Sequence, residues 1–192
     1  LGVVHALMIA PVKINVRHET LESEKIPVSM DEFKIVFFSD VHYNAFVDET
    51  RLQNIVDTIN NENPDVVLFG GDLFDHPANK MPGEIEISIV SKLLNEIEAD
   101  KGKFAVLGNH DLESVSTAIM VEETLYDAGF EVLSNKTLRI RNGNSGYITL
   151  CGLESGLLGH PDTETPFETV KNEDYTIVLC HTPDTALELS TS

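Results

Sequence analysis

The sequence is short of cysteine, of positive charge and of long apolar runs, and each shortage removes a class of protein. The two cysteines, Cys151 and Cys180, stand in separate apolar, strand-like stretches, so buried free thiols are expected rather than a disulfide scaffold. Thirteen lysines and arginines face 32 aspartates and glutamates, a formal net charge of −19. A field of that sign repels polyanions, which argues against bulk nucleic-acid binding through a basic surface. The apolar stretch Leu1 to Val12 falls short of the ~20 residues a helix needs to cross a bilayer. Either it ends an upstream membrane anchor or it is an edge element packed on the core. The sequence leaves both open, and with them a membrane-associated or cytoplasmic location. No internal repeat, low-complexity tract or interdomain linker is visible.

What is present is an ordinary globular composition, 42% hydrophobic, over 192 residues, enough for one sizeable core. Residues 1–33 are expected to hold a half-exposed strand, Val12 to Val16, and a polar link from Arg17 to Lys25; residues 34–192 form the main domain. That domain opens on Ile35-Val36-Phe37-Phe38, a run of β-branched and aromatic residues expected to be a strand buried on both faces. Asp48 is placed to cap a helix with Leu52, Ile55, Val56 and Ile59 on one face. Val66 to Phe69 predicts a second buried strand. Val90, Leu93, Leu94 and Ile97 mark a second helix, and Phe104 to Leu107 a third strand. A third helix, Glu113 to Ala128, is expected to bury Val115, Ala118, Ile119 and Leu125, with Gly129 just past its end. Short strands then follow at Glu131–Leu133, Thr137–Arg141 and Tyr147–Cys151, the last two as an antiparallel pair across the turn-rich Asn142 to Gly146. After a loop to Thr169, Tyr175 to Cys180 reads as another buried strand, and Asp184 to Leu189 as a short helix. The fold class is α/β.

Polar residues with metal-ligand chemistry follow these strands. Asp40 and His42 come after the first, Gly70-Gly71-Asp72 after the second, Gly108-Asn109-His110-Asp111 after the third, and His181 after the last. In an extended backbone residues i and i+2 share a face, so Asp40 and His42 are expected to converge. Alone, each residue has an ordinary explanation: a turn carboxylate, a left-handed asparagine, a core histidine. Together, at four strand ends on one rim, they point to a ligand site outside the carboxyl ends of a sheet. Mixed oxygen and nitrogen donors suit a first-row divalent ion, Mn, Fe or Zn, better than calcium. A carboxylate such as Asp72 can bridge two such ions.

In order, Ser39-Asp40-Val41-His42, Gly70-Gly71-Asp72, Gly108-Asn109-His110-Asp111 and Cys180-His181 resemble the first four motifs of the calcineurin-like metallophosphoesterases. The resemblance covers about Lys34 to His181. It implies an αββα sandwich of mixed sheets with flanking helices, carrying two divalent ions. By that analogy Asp40 and His42 bind one metal, Asp72 bridges both, and Asn109 and His181 bind the second. His110 protonates the leaving group or stabilises the transition state, with Asp111 orienting it. The implied reaction is hydrolysis of a phosphodiester, phosphomonoester or pyrophosphate by metal-activated hydroxide, on a small phosphorylated substrate, nucleotide- or lipid-linked. The apolar N-terminus and polar link resemble the bacterial membrane-anchored branch. The family's fifth motif, Gly-His-x-His, has no counterpart after His181. A C-terminally truncated chain, weakly active or inactive, is therefore expected, with a non-catalytic binding module as the alternative. Gly159-His160-Pro161-Asp162 is expected to be an ordinary loop, like His76, and His5 and His18 to be surface groups.

Overall fold

The computed structural model describes residues 14–75, 81–143 and 146–186. Four parallel strands form one sheet in the order β1 (Ile35–Phe38), β2 (Val66–Phe69), β3 (Lys103–Ala105), β4 (Phe130–Val132). They are joined by α1 (Glu49–Asn61), α2 (Glu84–Asn95) and α3 (Val115–Asp127). A second sheet holds β5 (Lys136–Ile140), β6 (Ile148–Gly152) and β7 (Thr176–Leu179). In it β5 and β6 pair antiparallel, while β7 runs parallel to β6.

Alternation along β2 separates two cores, because successive side chains point to opposite faces. Val67 and Phe69 pack with Leu52 and Val56 of α1, Val90 and Leu94 of α2, and Val121 and Leu125 of α3. Val66 and Leu68 face the other way, onto Ile140, Ile148, Leu150 and Leu179 of the second sheet. The layers are therefore helices, parallel sheet, mixed sheet. The loop with the 3-10 turn Thr165–Phe167 lies against the far side of β5, where Thr137 donates to the Pro166 carbonyl and Arg139 to that of Thr169. Helix α1 starts where Asp48 accepts the Arg51 N–H at 2.8 Å, as its cap position requires. Gly129, at φ +81°, follows α3 in the left-handed conformation that ends a helix.

Several expectations are corrected. Among the described residues β1 is an outer strand, and Phe37 is 59% exposed; hydrophobicity in a strand reports no neighbour on its second face. β7 is also outermost, and only Leu179 of it is buried. α3 turns a different face inward. Val115 and Ile119 are 78% and 51% exposed, while Thr117, Val121, Thr124 and Leu125 are buried. The two threonines are hidden because their hydroxyls find local partners, Thr124 donating to the Met120 carbonyl at 2.7 Å and Thr117 pairing with Ser114 at 2.8 Å. β4 joins the parallel sheet. Residues 14–16 are not in a strand, whereas Ile26, Met30 and Phe33 pack into the core between the sheets. His5, His76 and residues 187–189 lie outside the described residues.

A cavity of about 1070 Å³ runs beside β1 and β7, lined by Val16, Phe37, Leu68 and Ile177, and meets the strand-end residues at Asp40. No described helix is long and apolar enough to cross a membrane.

Candidate metal centre

Beyond β1 and β2 the two chains stay side by side without being strands. The N–H groups of Asp40, His42 and Tyr43 donate to the carbonyls of Gly71, Asp72 and Leu73 at 3.0, 3.1 and 2.9 Å. Asp40, His42 and Asp72 all have left-handed backbones, with φ of +55°, +44° and +60°. Aspartate and histidine are among the few residues enriched there. The convergence expected from an extended i, i+2 pair is thus made by tight left-handed turns instead. Glycine is required where the loops after β2 and β3 touch. A Cβ on Gly108 would lie 2.1 Å from Asp72 Oδ1, and one on Gly71 would lie 2.3 Å from the Gly108 nitrogen.

At the centre sits the buried Asp72. Its Oδ1 accepts the His110 N–H at 2.9 Å, which fixes the carboxylate plane. Its Oδ2 faces two imidazoles, with His42 Nε2 at 3.6 Å and His181 Nε2 at 3.5 Å. Asp40 Oδ1 lies 3.5 Å from His42 Nε2, and Asn109 Oδ1 lies 3.1 Å from His181 Nε2. All five expected ligand residues are brought together, but from two sheets rather than one rim. β1, β2 and β3 supply four of them, and β7 delivers His181 across the interface.

The donor chemistry fits a cation. The Gly70 carbonyl can only accept, so His181 Nδ1, at 2.8 Å from it, donates. In the neutral ring Nε2 then turns its lone pair toward Asn109 Oδ1 and Asp72 Oδ2. Lone pairs converging with no hydrogen between them are what a positive ion satisfies. His42 Nδ1 is buried without a hydrogen-bond partner. Two sets of ligand atoms gather within 4.8 Å, His42 with Asp72 and His110, and Asp40 with Asp72 and His181, sharing Asp72.

Asp111 lies elsewhere than against the His110 ring. It is buried, and its carboxylate accepts backbone N–H bonds from Asp72 at 2.7 Å, Gly108 at 2.9 Å and Leu73 at 3.0 Å. Burial pushes its carboxyl above the ordinary aspartate range, against the pull of those three donors. Two acids that the sequence reading passed over stand closer to the histidines. Asp75 places Oδ2 at 3.9 Å from His42 Nδ1 and Oδ1 at 3.9 Å from His110 Nδ1. Glu113 Oε1 is 3.1 Å from His110 Nδ1. Their signal was an acid three residues after Asp72 and another three after His110, spacings that a turn brings onto one side.

The remaining histidines in view are ordinary. His18 pairs with Glu62 at the surface, and His160 is held in its loop through its backbone. Both cysteines are free, and burial raises their thiol pKa values, so they are poorly reactive.

Comparison with known proteins gives a consistent match. The profile of the calcineurin-like phosphoesterases matches residues 33–190. An uncharacterized metallophosphoesterase of Bacillus subtilis, YkuE, is 32% identical over 189 residues, covering 97% of this chain and 64% of its own. The phosphodiesterase YaeI of Escherichia coli is 33% identical over 156 residues, 79% of this chain and 53% of its own. A transmembrane protein with a metallophosphoesterase domain from Danio rerio is 30% identical over 172 residues, 85% and 38%. The chain spans less than two thirds of the length of each.

Proposed function

The chain belongs to the calcineurin-like phosphoesterase family, and we propose that it hydrolyses phosphoester bonds at a binuclear centre of Mn, Fe or Zn. The reading rests on one observation above all: a single free oxygen, Asp72 Oδ2, stands between His42 Nε2 and His181 Nε2 at 3.6 and 3.5 Å. Asp40 and His42 would hold one ion, Asn109 and His181 the other, and Asp72 both. Two bound divalent ions supply an activated water nucleophile and neutralise the phosphoryl oxygens of an anionic substrate. That local charge admits a phosphate ester to a chain whose net charge is −19. The chain's own residues do the rest. The His110 N–H holds the Asp72 carboxylate in plane, the Gly70 carbonyl fixes the His181 tautomer, and Asp111 ties the loops after β2 and β3 together. The His110 ring, 5.1 Å from that of His42, supplies a proton to the leaving oxygen.

A small diester is the first substrate to try, since the Escherichia coli relative bears the name of a phosphodiesterase. Bis-p-nitrophenyl phosphate should be hydrolysed on adding Mn, chelation should abolish the rate, and restored metal should recover it. Asp72→Asn should lose at least ~100-fold in activity and at least one bound ion. Two bound ions without turnover would leave a binding module; no bound ion would sink the metal reading altogether.

A further inference from the structure

We propose that Phe46 sets which phosphoesters the centre accepts, by offering their ester group an apolar surface beside His42, so that esters of apolar alcohols or phenols are preferred to those of polar ones. The inference rests on the hydrolase reading above and adds a substrate class to it. A single phenylalanine open to water is ordinary on a protein surface. What sets Phe46 apart is where it is held.

The segment after His42 is a tight turn. Asn44 is left-handed, at φ +77°, and its N–H donates to the Val47 carbonyl at 2.9 Å. The N–H groups of Ala45 and Phe46 both donate to the His42 carbonyl at 3.1 Å, so the backbone of Phe46 hangs from a candidate metal ligand. On either side Tyr43 and Val47 are buried in the core, and Tyr43 is bridged to Phe74. Between those anchors Phe46 is turned outward and left 75% exposed. Its ring stands edge-to-face with the His42 imidazole, the centroids 5.9 Å apart and the planes at 89°. The His110 ring meets the same imidazole at 5.1 Å and 83°. Phe46 and His110 are thus two rings that border the His42 side of the centre. The other exposed phenylalanine among the described residues, Phe37, lies within β1 and not at its end.

The His181 side carries similar chemistry. Leu157 and Leu158 are exposed in the loop after β6, and that loop is tied to the residue following His181, the Gly156 N–H donating to Thr182 Oγ1 at 3.0 Å. Ligand atoms at the middle and apolar side chains around them suit a substrate with an anionic phosphoryl group and an apolar ester group. Covering the Phe46 ring removes apolar surface from water, which is favourable in proportion to its area. A hydroxylated ester group keeps its own water and gains little there. The hydrogen bonds of the turn have already fixed the backbone that carries the ring, so little ordering is required on binding.

Calorimetry in the presence of Mn, with phosphonates that differ only in their organic group, tests this. The parent protein should bind phenylphosphonate and hexylphosphonate about 10-fold more tightly than 2-hydroxyethylphosphonate. Whichever of the first two binds more tightly names the class as aryl or alkyl. Phe46→Ala should reduce the preference to about twofold or less, and Phe46→Leu, still apolar, should restore much of it. A change acting through His42 and its ion would weaken all the phosphonates alike. Such an equal loss, or an undiminished preference in Phe46→Ala, overturns the proposal. In turnover of bis-p-nitrophenyl phosphate, Phe46→Ala should raise KM about 10-fold, more than it lowers kcat. Absence of turnover in the parent protein would remove the hydrolase reading, while the phosphonate preferences would still decide the role of Phe46.

Discussion

Replacing Asp111 by Asn keeps the shape of the side chain and removes one acceptor from a site that needs both. Two N–H groups, of Asp72 and Gly108, point at Oδ2, and one, of Leu73, points at Oδ1. Turned with its oxygen in the Oδ2 position, the amide keeps two bonds and sets its NH₂ against the Leu73 N–H. Turned the other way, it keeps one and loses two. The better choice strands one buried donor, at about 1–3 kcal/mol, and weakens two bonds that were charge-assisted. Part of this is offset, because burying the ionised carboxylate was itself costly, as the raised Asp111 pKa shows. A net loss of about 2 kcal/mol is expected, or about 4–8 °C in Tm for a chain of this size. Asp111→Ala, which abandons all three donors, should lose about 3–6 kcal/mol. Urea unfolding followed by circular dichroism measures both. If Asp111 instead served His110, Asp111→Asn would leave stability within about 0.5 kcal/mol and strike activity alone. That outcome would refute the role assigned to it.

Other consequences can be checked as directly. Gly108→Ala drives a methyl group into the Asp72 carboxylate, so Mn affinity by calorimetry should fall at least ~10-fold; unchanged affinity would mean the two loops are not in contact. Phe37→Thr, on a strand that is outermost among the described residues, should cost under about 1 kcal/mol, whereas Phe69→Ala in the inner strand β2 should cost about 3–5 kcal/mol; equal costs would place β1 inside its sheet. The Asp174 carboxyl is held below the ordinary aspartate range, first by the Lys171 N–H and then by the Tyr147 hydroxyl at 2.8 Å. Its folded state favours the carboxylate, so the stability it lends is present above the unfolded pKa and fades as pH falls through the folded one. Tyr147→Phe should move that titration upward in a carbon-detected NMR experiment; no movement would mean the hydroxyl is not bonded there.

The parts of this molecule that were legible in advance are those where one residue's neighbours lie close in sequence. Strands β1 to β3 and helices α1 and α2 announce themselves through apolar runs and a 3.6-residue period, and polar ligand-type residues after each strand predict a shared site. What required the third dimension was partnership. Three residues of β4 carry no mark of which sheet they join. Phe37 reads like Phe69, though one is half in water and the other sealed between two layers. Thr117 and Thr124 fall outside the apolar positions expected to be buried in α3, yet are buried, because their hydroxyls are satisfied by Ser114 and the Met120 carbonyl. Asp111 reads as a neighbour of His110 and binds backbone beyond it, while Glu113, one turn on, takes the place beside the ring.

The left-handed backbones of Asp40, His42 and Asp72 restrict which side chains the centre can exchange. A residue with φ near +50° tolerates asparagine, aspartate, histidine or glycine at little cost, and resists most others. Glutamate or cysteine introduced at those three positions would have to hold a strained conformation before it met any ion. Asn109 and His181 carry no such restriction. A redesign that aims to change metal preference, toward a thiolate set for instance, would find its freedom on the β3 and β7 side of Asp72. The β1 side is confined to the few residues that can turn left.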